Sequence, residues 1–255
     1  GGYDSPVQWA IDPAAKAFCP RVTGRGFRGL TNGNSPSWMA GRLNAVGQRP
    51  ISALVDITNY VMIDLGRPLH AYDVAKINGD TLTIRPAKDG ETLTALNEKH
   101  YSLDASMCII ADDHGADDLA GIMGGARTGV SDTTTEMFLE VAIFDPISVA
   151  TTARKLNINS DARYRFERGL DVTSPDWVHG HVARLVLSIC GGEASHIVSA
   201  GDGANWQRQI FLSYDKVQKL TGMDVAIIDQ QKILHTLGFT IAACDDDQGD
   251  GGWQV

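Results

Sequence analysis

The spacing of hydrophobic positions changes along the chain, and each change marks an element. In NSPSWMAGRLNAVGQRP, Trp38, Met39, Leu43 and Val46 recur at helical spacing between a Ser-Pro start and Gly47, which predicts a helix over about 35–46. ALVDITNYVMIDLG pulls two ways: its Val, Ile, Thr and Tyr content favours a strand, yet Leu54, Ile57, Val61 and Leu65 recur near a helical period. Gly66, a natural helix stop, decides for helix. From about 80 to 145 the pattern shortens to β-branched runs between turn residues (TLTIRP, ETLTAL, MCIIAD, LAGIMG, MFLEVAIF), which predict a β-rich core. DPISVATTARKLN then reads as a helix, and TSPDWVHGHVARLVLSICGG, with a cap, an early proline and a double-glycine stop, is the clearest helix of the chain. After a break at SAGDGANWQRQ, IFLSYDKVQKLTG and DQQKILHTLGFTIAACDDD predict a strand, two short helices and a strand. DDDQGDGGWQV reads as a hairpin tip or a truncation.

These elements predict an α/β fold of the α+β kind, with no fixed-period repeat, divided into 1–203 and a small appended unit at 204–255. A chain of 255 residues, 43% of them hydrophobic, is long enough for one large core or two smaller ones. Its apolar stretches fall far short of the roughly 20 residues a membrane helix needs, so no span is expected. GGYDSPVQWAID carries neither an initiator Met nor a charged-then-apolar leader, as expected for part of a longer polypeptide. Cys19, Cys108, Cys190 and Cys244 form no C-x-x-C pair, which argues against a zinc site or a disulfide scaffold and favours a reducing cytoplasm. A net charge of −9 is the wrong sign for a generic nucleic-acid coat. Two basic clusters, Arg21, Arg25 and Arg28, and Arg163, Arg165 and Arg168, are expected to be mostly surface ion pairs.

Four segments hold more unusual residues than a plain core requires: DITNY with GRPLHAYD, the glycine run LAGIMGGA, FLE, and NSDARYRFERG. In EMFLEVAIF, alternation puts Phe138, Glu140 and Ala142 on one face and Leu139, Val141 and Ile143 on the other. If both faces are covered, Glu140 is buried and needs hydrogen bonds or an opposite charge, or else its protonated form is favoured. A strand glutamate facing solvent is the alternative. His70, after a proline in a loop-like stretch, fits a donor, a base or a satisfied loop residue. Thr58 and Asn59 fit ligand contacts or local backbone capping, of which composition favours capping. Gly121, Gly124 and Gly125 match no phosphate loop. They leave either a backbone open to a carboxylate, carbonyl or oxyanion, or a tight turn. His179 and His181, two apart on a helix, do not face each other as a metal pair, and no nucleophile elbow is present.

Taken together, RPISALVDITNYVMIDLGRPLHAYD, LAGIMGGA, FLEVAIFDPISV and DARYRFERGLD, in this order and spacing, resemble the β subunit of bacterial phenylalanine–tRNA ligases. The resemblance runs from about Cys19 to Ala200 and is to the editing module of that family, an α/β domain that hydrolyses tyrosine wrongly esterified to phenylalanine tRNA. The region from about Ile210 to Val255 resembles the start of a winged-helix-like domain, cut short. The resemblance implies a catalytic group of His70, Thr58 and Asn59. It further implies a substrate pocket of Glu140, Ala120, Gly121, Gly124, Ser160 and Ala162, with Glu140 on the tyrosine phenol and Gly121 and Gly124 baring backbone to the aminoacyl group. Ser160 stands where the family often has threonine, which keeps a hydroxyl and removes a methyl. A pocket that hydrogen-bonds the phenol rejects phenylalanine, which would leave a buried carboxyl unpaired at a cost of about 1–3 kcal/mol or more.

The implied partners are tRNA(Phe), tyrosine as editing ligand and a synthetase alpha subunit, in a heterotetramer of two alpha and two beta chains, located in the cytoplasm and away from membranes. No metal or cofactor is expected in this region, because ATP and magnesium belong to the complete synthetase; the region is expected to edit and not to charge tRNA. The competing readings are a non-catalytic module that binds tRNA or the alpha subunit, and a sensor of free amino acids.

Overall fold

The computed structural model describes residues 1–203, 207–245 and 251–255. It divides into two compact units, Gly1–Ala204 and Asn205–Val255. In chain order the first unit contains β1 (Gln8–Ile11), β2 (Arg21–Arg28), α1 (Ser37–Ala45), α2 (Ala53–Leu65), β3 (His70–Asp73) and β4 (Thr81–Pro86). There follow β5 (Thr92–Thr94), β6 (His100–Ser102), β7 (Cys108–Ala111), β8 (Ala116–Leu119) and β9 (Glu136–Ile143). It ends with α3 (Pro146–Lys155), α4 (Asp161–Phe166), α5 (Ser174–Cys190) and β10 (Glu193–Ala200).

Two four-stranded sheets carry the unit. One has the order β1-β4-β7-β8, with β1 and β4 parallel; the other, β10-β2-β9-β3, is antiparallel throughout. Phe138 and Ala142 of β9 join Trp9, Leu82, Ile84 and Ile109 in one apolar cluster, while Met137, Leu139 and Val141 join a second with Met39, Leu43, Leu54, Ile57, Val178 and Val182. The second sheet is therefore covered on both faces, by residues of the other sheet and by α1, α2 and α5. That is why β9 reads as an almost unbroken apolar run.

α1, α2, α3 and α5 fall where their periodicity places them, whereas α4 was not expected. α1 is shorter at both ends than the spacing suggests. α2 ends at Gly66, whose φ of 66° is the left-handed cap that a side chain would oppose. At its start, buried Asp56 accepts from the Ile51 N–H at 2.8 Å and the Ser35 hydroxyl at 2.5 Å, tying the incoming loop to the first turn. One sequence expectation is corrected. LAGIMG is not a strand: β8 ends at Leu119, and the chain turns back so that the Leu119 N–H donates to the Met123 carbonyl. Glycine there serves a turn, against which the Leu-Ile-Met content carries little weight.

In the second unit β11 (Phe211–Ser213), α6 (Lys216–Thr221), α7 (Ile227–Thr236), β12 (Ala242–Asp245) and β13 (Gly251–Gln254) form a three-stranded sheet, order β11-β13-β12, with two helices. β13 is an addition to the expected strand, helix, helix and strand. β12 and β13 pair antiparallel; of the hairpin tip or truncation expected over 245–255, residues 246–250 lie outside the described residues, as does the centre of the break at 204–206.

Candidate functional site

Strand register builds the site. In the middle of its sheet, Glu140 lies opposite Gly24 of β2 on one side and His70 of β3 on the other. Its side chain shares the face of Phe138 and Ala142, as alternation predicts, and Glu140 is only 6% exposed, so the solvent-facing alternative falls. It borders a cavity of about 60 Å³ whose polar lining is His70, Asp118 and Glu140, with Gly121, Gly124 and Ala162 at the wall and Phe144 and Phe166 among the apolar residues.

The carboxyl of Glu140 has no donor for Oε1. Burial, reinforced by the negative charge of Asp118 and opposed by Arg67, pushes its pKa from 4.5 up to about 8. Arg67 is itself buried. Its Nη2 donates to the Ala142 carbonyl, its Nε and Nη1 lack partners, and its guanidinium carbon lies 5.7 Å from the centre of the Phe166 ring. Burial lowers the guanidinium to about 10, against the pull of Glu140. The position of Arg67 has a local cause. Continuing the His70–Glu140 register by two residues would set Pro68 against Ala142, and proline has no N–H to donate.

Asp118, by contrast, has donors for both oxygens. The Tyr72 hydroxyl donates to Oδ2, the Gly125 N–H donates to Oδ1 at 2.6 Å, and His70 Nε2 lies 3.6 Å from that same Oδ1. The imidazole also meets the Tyr72 ring edge to face, centroids 4.6 Å apart. The neighbouring Asp117 turns to Arg127, which also pairs with Asp112 at 2.8 Å; burial and the two nearby aspartates push Asp117 up to about 7.

The bareness of the glycine run has specific causes. Gly121 has a φ of +70°, and a Cβ there would press on Phe144 and Val149. A Cβ on Gly124 would overlap the His70 ring. Among the described residues, no hydrogen bond uses the N–H of either glycine. The run is thus at once a tight turn and a seat for imidazole, with two backbone donors left over at the cavity.

Of the residues singled out in the sequence, His70, Gly121, Gly124, Glu140 and Ala162 line the cavity. Ala120 is buried immediately beside it, its N–H donating to the Cys108 carbonyl. Ser160 caps α4 by accepting from the Arg163 N–H and donates to the Ile122 carbonyl at 2.6 Å, so it ties α4 to the glycine turn without lining the cavity. Thr58 and Asn59 sit on α2 outside the lining, and the Thr58 hydroxyl donates back to the Val55 carbonyl, a local role. Asp118, Tyr72 and Arg67 escaped the sequence reading. The available signal was the Asp-Asp pair at the centre of ADDL, just before the glycines.

The basic clusters are mostly paired. Arg21 pairs with Asp176, Arg28 with Glu193, Arg163 with Glu167 and Arg165 with Asp161, as expected of surface ion pairs, whereas the partly buried Arg25 donates to the Ser195 carbonyl. His179 is buried 2.8 Å from the Thr23 hydroxyl, with burial lowering its pKa to about 3. Among the described residues no group of three His, Cys, Asp or Glu side chains could hold a metal ion, and no helix is long and apolar enough to cross a membrane.

A family model described as the B3/4 domain matches residues 18–191. The chain is similar to the phenylalanine–tRNA ligase beta subunit of Paramagnetospirillum magneticum, 50% identical over 95% of this chain and 30% of that protein. It is 49% identical to the beta subunit of Rhodospirillum rubrum, over 94% of this chain and 30% of that protein. It therefore spans about 30% of the length of these curated relatives. Among solved structures it shares its fold with an N-terminal fragment of the phenylalanyl-tRNA synthetase beta subunit from Pyrococcus horikoshii. There the TM-score is 0.50 at 12% identity, covering 99% of this chain and 69% of that one.

Proposed function

The chain belongs to the B3/4 domain family, and on that premise we propose that its cavity hydrolyses tyrosine wrongly esterified to tRNA(Phe), as part of a phenylalanine–tRNA ligase beta subunit. The observation that carries this reading is Glu140, a buried carboxyl bordering the cavity with an oxygen that nothing among the described residues satisfies. A buried polar atom left open costs stability, and a ligand that brings the missing partner recovers it. The tyrosine phenol brings one; phenylalanine does not. Discrimination by one hydroxyl is the kind a site built around a buried polar group achieves best.

The ester needs little activation. With the phenol on Glu140, the N–H groups of Gly121 and Gly124 are available to the developing oxyanion, and His70 is available to orient the attacking water. The free cavity is smaller than the roughly 150 Å³ that takes up benzene in an apolar protein interior, so a phenol ring enters as flexible lining such as Met123 gives way. In this reading the chain needs no cofactor of its own. ATP and magnesium serve the complete synthetase, whose partners are tRNA(Phe) and an alpha subunit in a two-alpha, two-beta assembly in the cytoplasm.

The test is hydrolysis of tyrosyl-tRNA(Phe) against phenylalanyl-tRNA(Phe) by the chain. The tyrosyl ester should turn over faster, and Glu140→Ala should erase about 5- to 150-fold of that preference, the equivalent of one hydrogen bond to a buried group. Equal rates on both esters with the unmodified protein would remove the basis for the assignment.

A further inference from the structure

We propose that Asp118 is the positioning residue of this cavity: its Oδ1 receives the Nε2–H of His70, which fixes the tautomer and leaves Nδ1 as the base that holds water. The proposal rests on the hydrolytic reading above and adds the group that makes His70 competent for it.

The geometry has four parts. His70 Nε2 is buried without a hydrogen-bond partner, and the atom it faces is Asp118 Oδ1, 3.6 Å away. A short movement of the ring closes that gap; separations of this kind commonly tighten when a site fills. Asp118 is itself clamped, by the Tyr72 hydroxyl on Oδ2 and the Gly125 N–H at 2.6 Å on Oδ1, so it offers His70 a fixed acceptor. The space the ring occupies exists because position 124 has no side chain. Finally, the ring stands edge-on against Tyr72, which limits its rotation.

The charged and titratable groups around the imidazole assign the roles. Asp118 on β8 and Tyr72 on β3 lie on one side, and Glu140 on β9 lies opposite in register. Asp118 has donors for both oxygens and Glu140 Oε1 has none, and the negative charge of Asp118 is one of the causes that keep Glu140 protonated. The two carboxyl groups of the cavity thus have different surroundings: Asp118 is held by two donors beside the imidazole, and Glu140, whose charged form burial disfavours, keeps an open oxygen for the ligand.

In the reaction, the water oxygen attacks the ester carbonyl carbon while Nδ1 of His70 takes the water proton. The imidazolium formed is stabilised by Asp118. The bond from that carbon to the ribose oxygen then breaks, and His70 returns the proton to the departing oxygen. The products are free tyrosine and a tRNA with its terminal hydroxyl restored.

The experiment is nitrogen-15 NMR of the histidine rings in the chain and in Asp118→Asn, together with kinetics on tyrosyl-tRNA(Phe). The unmodified protein should show His70 protonated at Nε2. Asp118→Asn, nearly isosteric, should shift His70 towards the Nδ1–H tautomer and lower kcat about 10- to 100-fold, with KM within about twofold and the tyrosine preference intact. A mainly structural role would not move the tautomer. An Nδ1–H tautomer in the unmodified protein overturns the proposal without need of any variant, and so does an Asp118→Asn protein with unchanged tautomer and kcat. If the unmodified chain hydrolyses neither ester yet shows the Nε2–H tautomer, the hydrolytic reading fails and the hold of Asp118 on His70 stands.

Discussion

Glutamate 140 should make this protein lose stability as pH rises through neutrality, and replacing it by Gln should abolish that loss. The sign follows from linkage. The folded pKa is raised from 4.5 to about 8, so between those values the unfolded chain has released its proton while the folded chain still holds it. Deprotonation therefore favours unfolding, and the folded state weakens as pH rises across that window. With these two pKa values, the loss between pH 5 and pH 7 is about 2–3 kcal/mol. Gln has nearly the shape of the protonated acid and cannot ionise, so Glu140→Gln should lead by about 1 kcal/mol at pH 5 and by about 3 kcal/mol at pH 7. Asp117, pushed up to about 7, titrates in the same range, but it is present in both proteins and cancels in the difference. Because the chain has two units, the assay should report the one that contains Glu140. Native-state hydrogen exchange of the β9 amides, corrected for the intrinsic pH dependence of exchange, does so. Protection free energies that run parallel in the two proteins from pH 5 to pH 7 would show that Glu140 is not held protonated by its surroundings.

Two further substitutions probe the cavity. Ala162→Trp should fill it from the second residue of α4 and abolish hydrolysis of tyrosyl-tRNA(Phe) with little change in melting temperature; if the wall is packed tight instead, overpacking costs about 1–3 kcal/mol and the melting temperature drops. Gly124→Ala places a methyl group on the His70 ring and should lower kcat while sparing the tyrosine preference; unchanged turnover would mean that His70 is not in the reaction.

Much of the fold could be read from local pattern, because helices announce themselves through short-range spacing. α2 was decided by Leu54, Ile57, Val61, Leu65 and Gly66, and α5 by its early proline and closing glycines. The alternation that puts Glu140 with Phe138 and Ala142 was equally local. What no local pattern contained was the second cover on that sheet. Whether Glu140 meets water or protein depends on β4, β7 and β8 lying over its face, and on a parallel pairing of β1 with β4 across some 70 residues of chain. The same holds for the chemistry. His70 and Asp118 are 48 positions apart, and only the return of β8 beside β3 sets them 3.6 Å from one another. Sequence by itself marked some of the candidates, a histidine after a proline, a carboxylate in an apolar strand and a run of glycines, and passed over Asp118, Tyr72 and Arg67. Tertiary structure decided which of them meet, because burial and distance depend on pairings between segments far apart in the chain, and those two quantities set whether a carboxyl is charged and whether an imidazole has an acceptor.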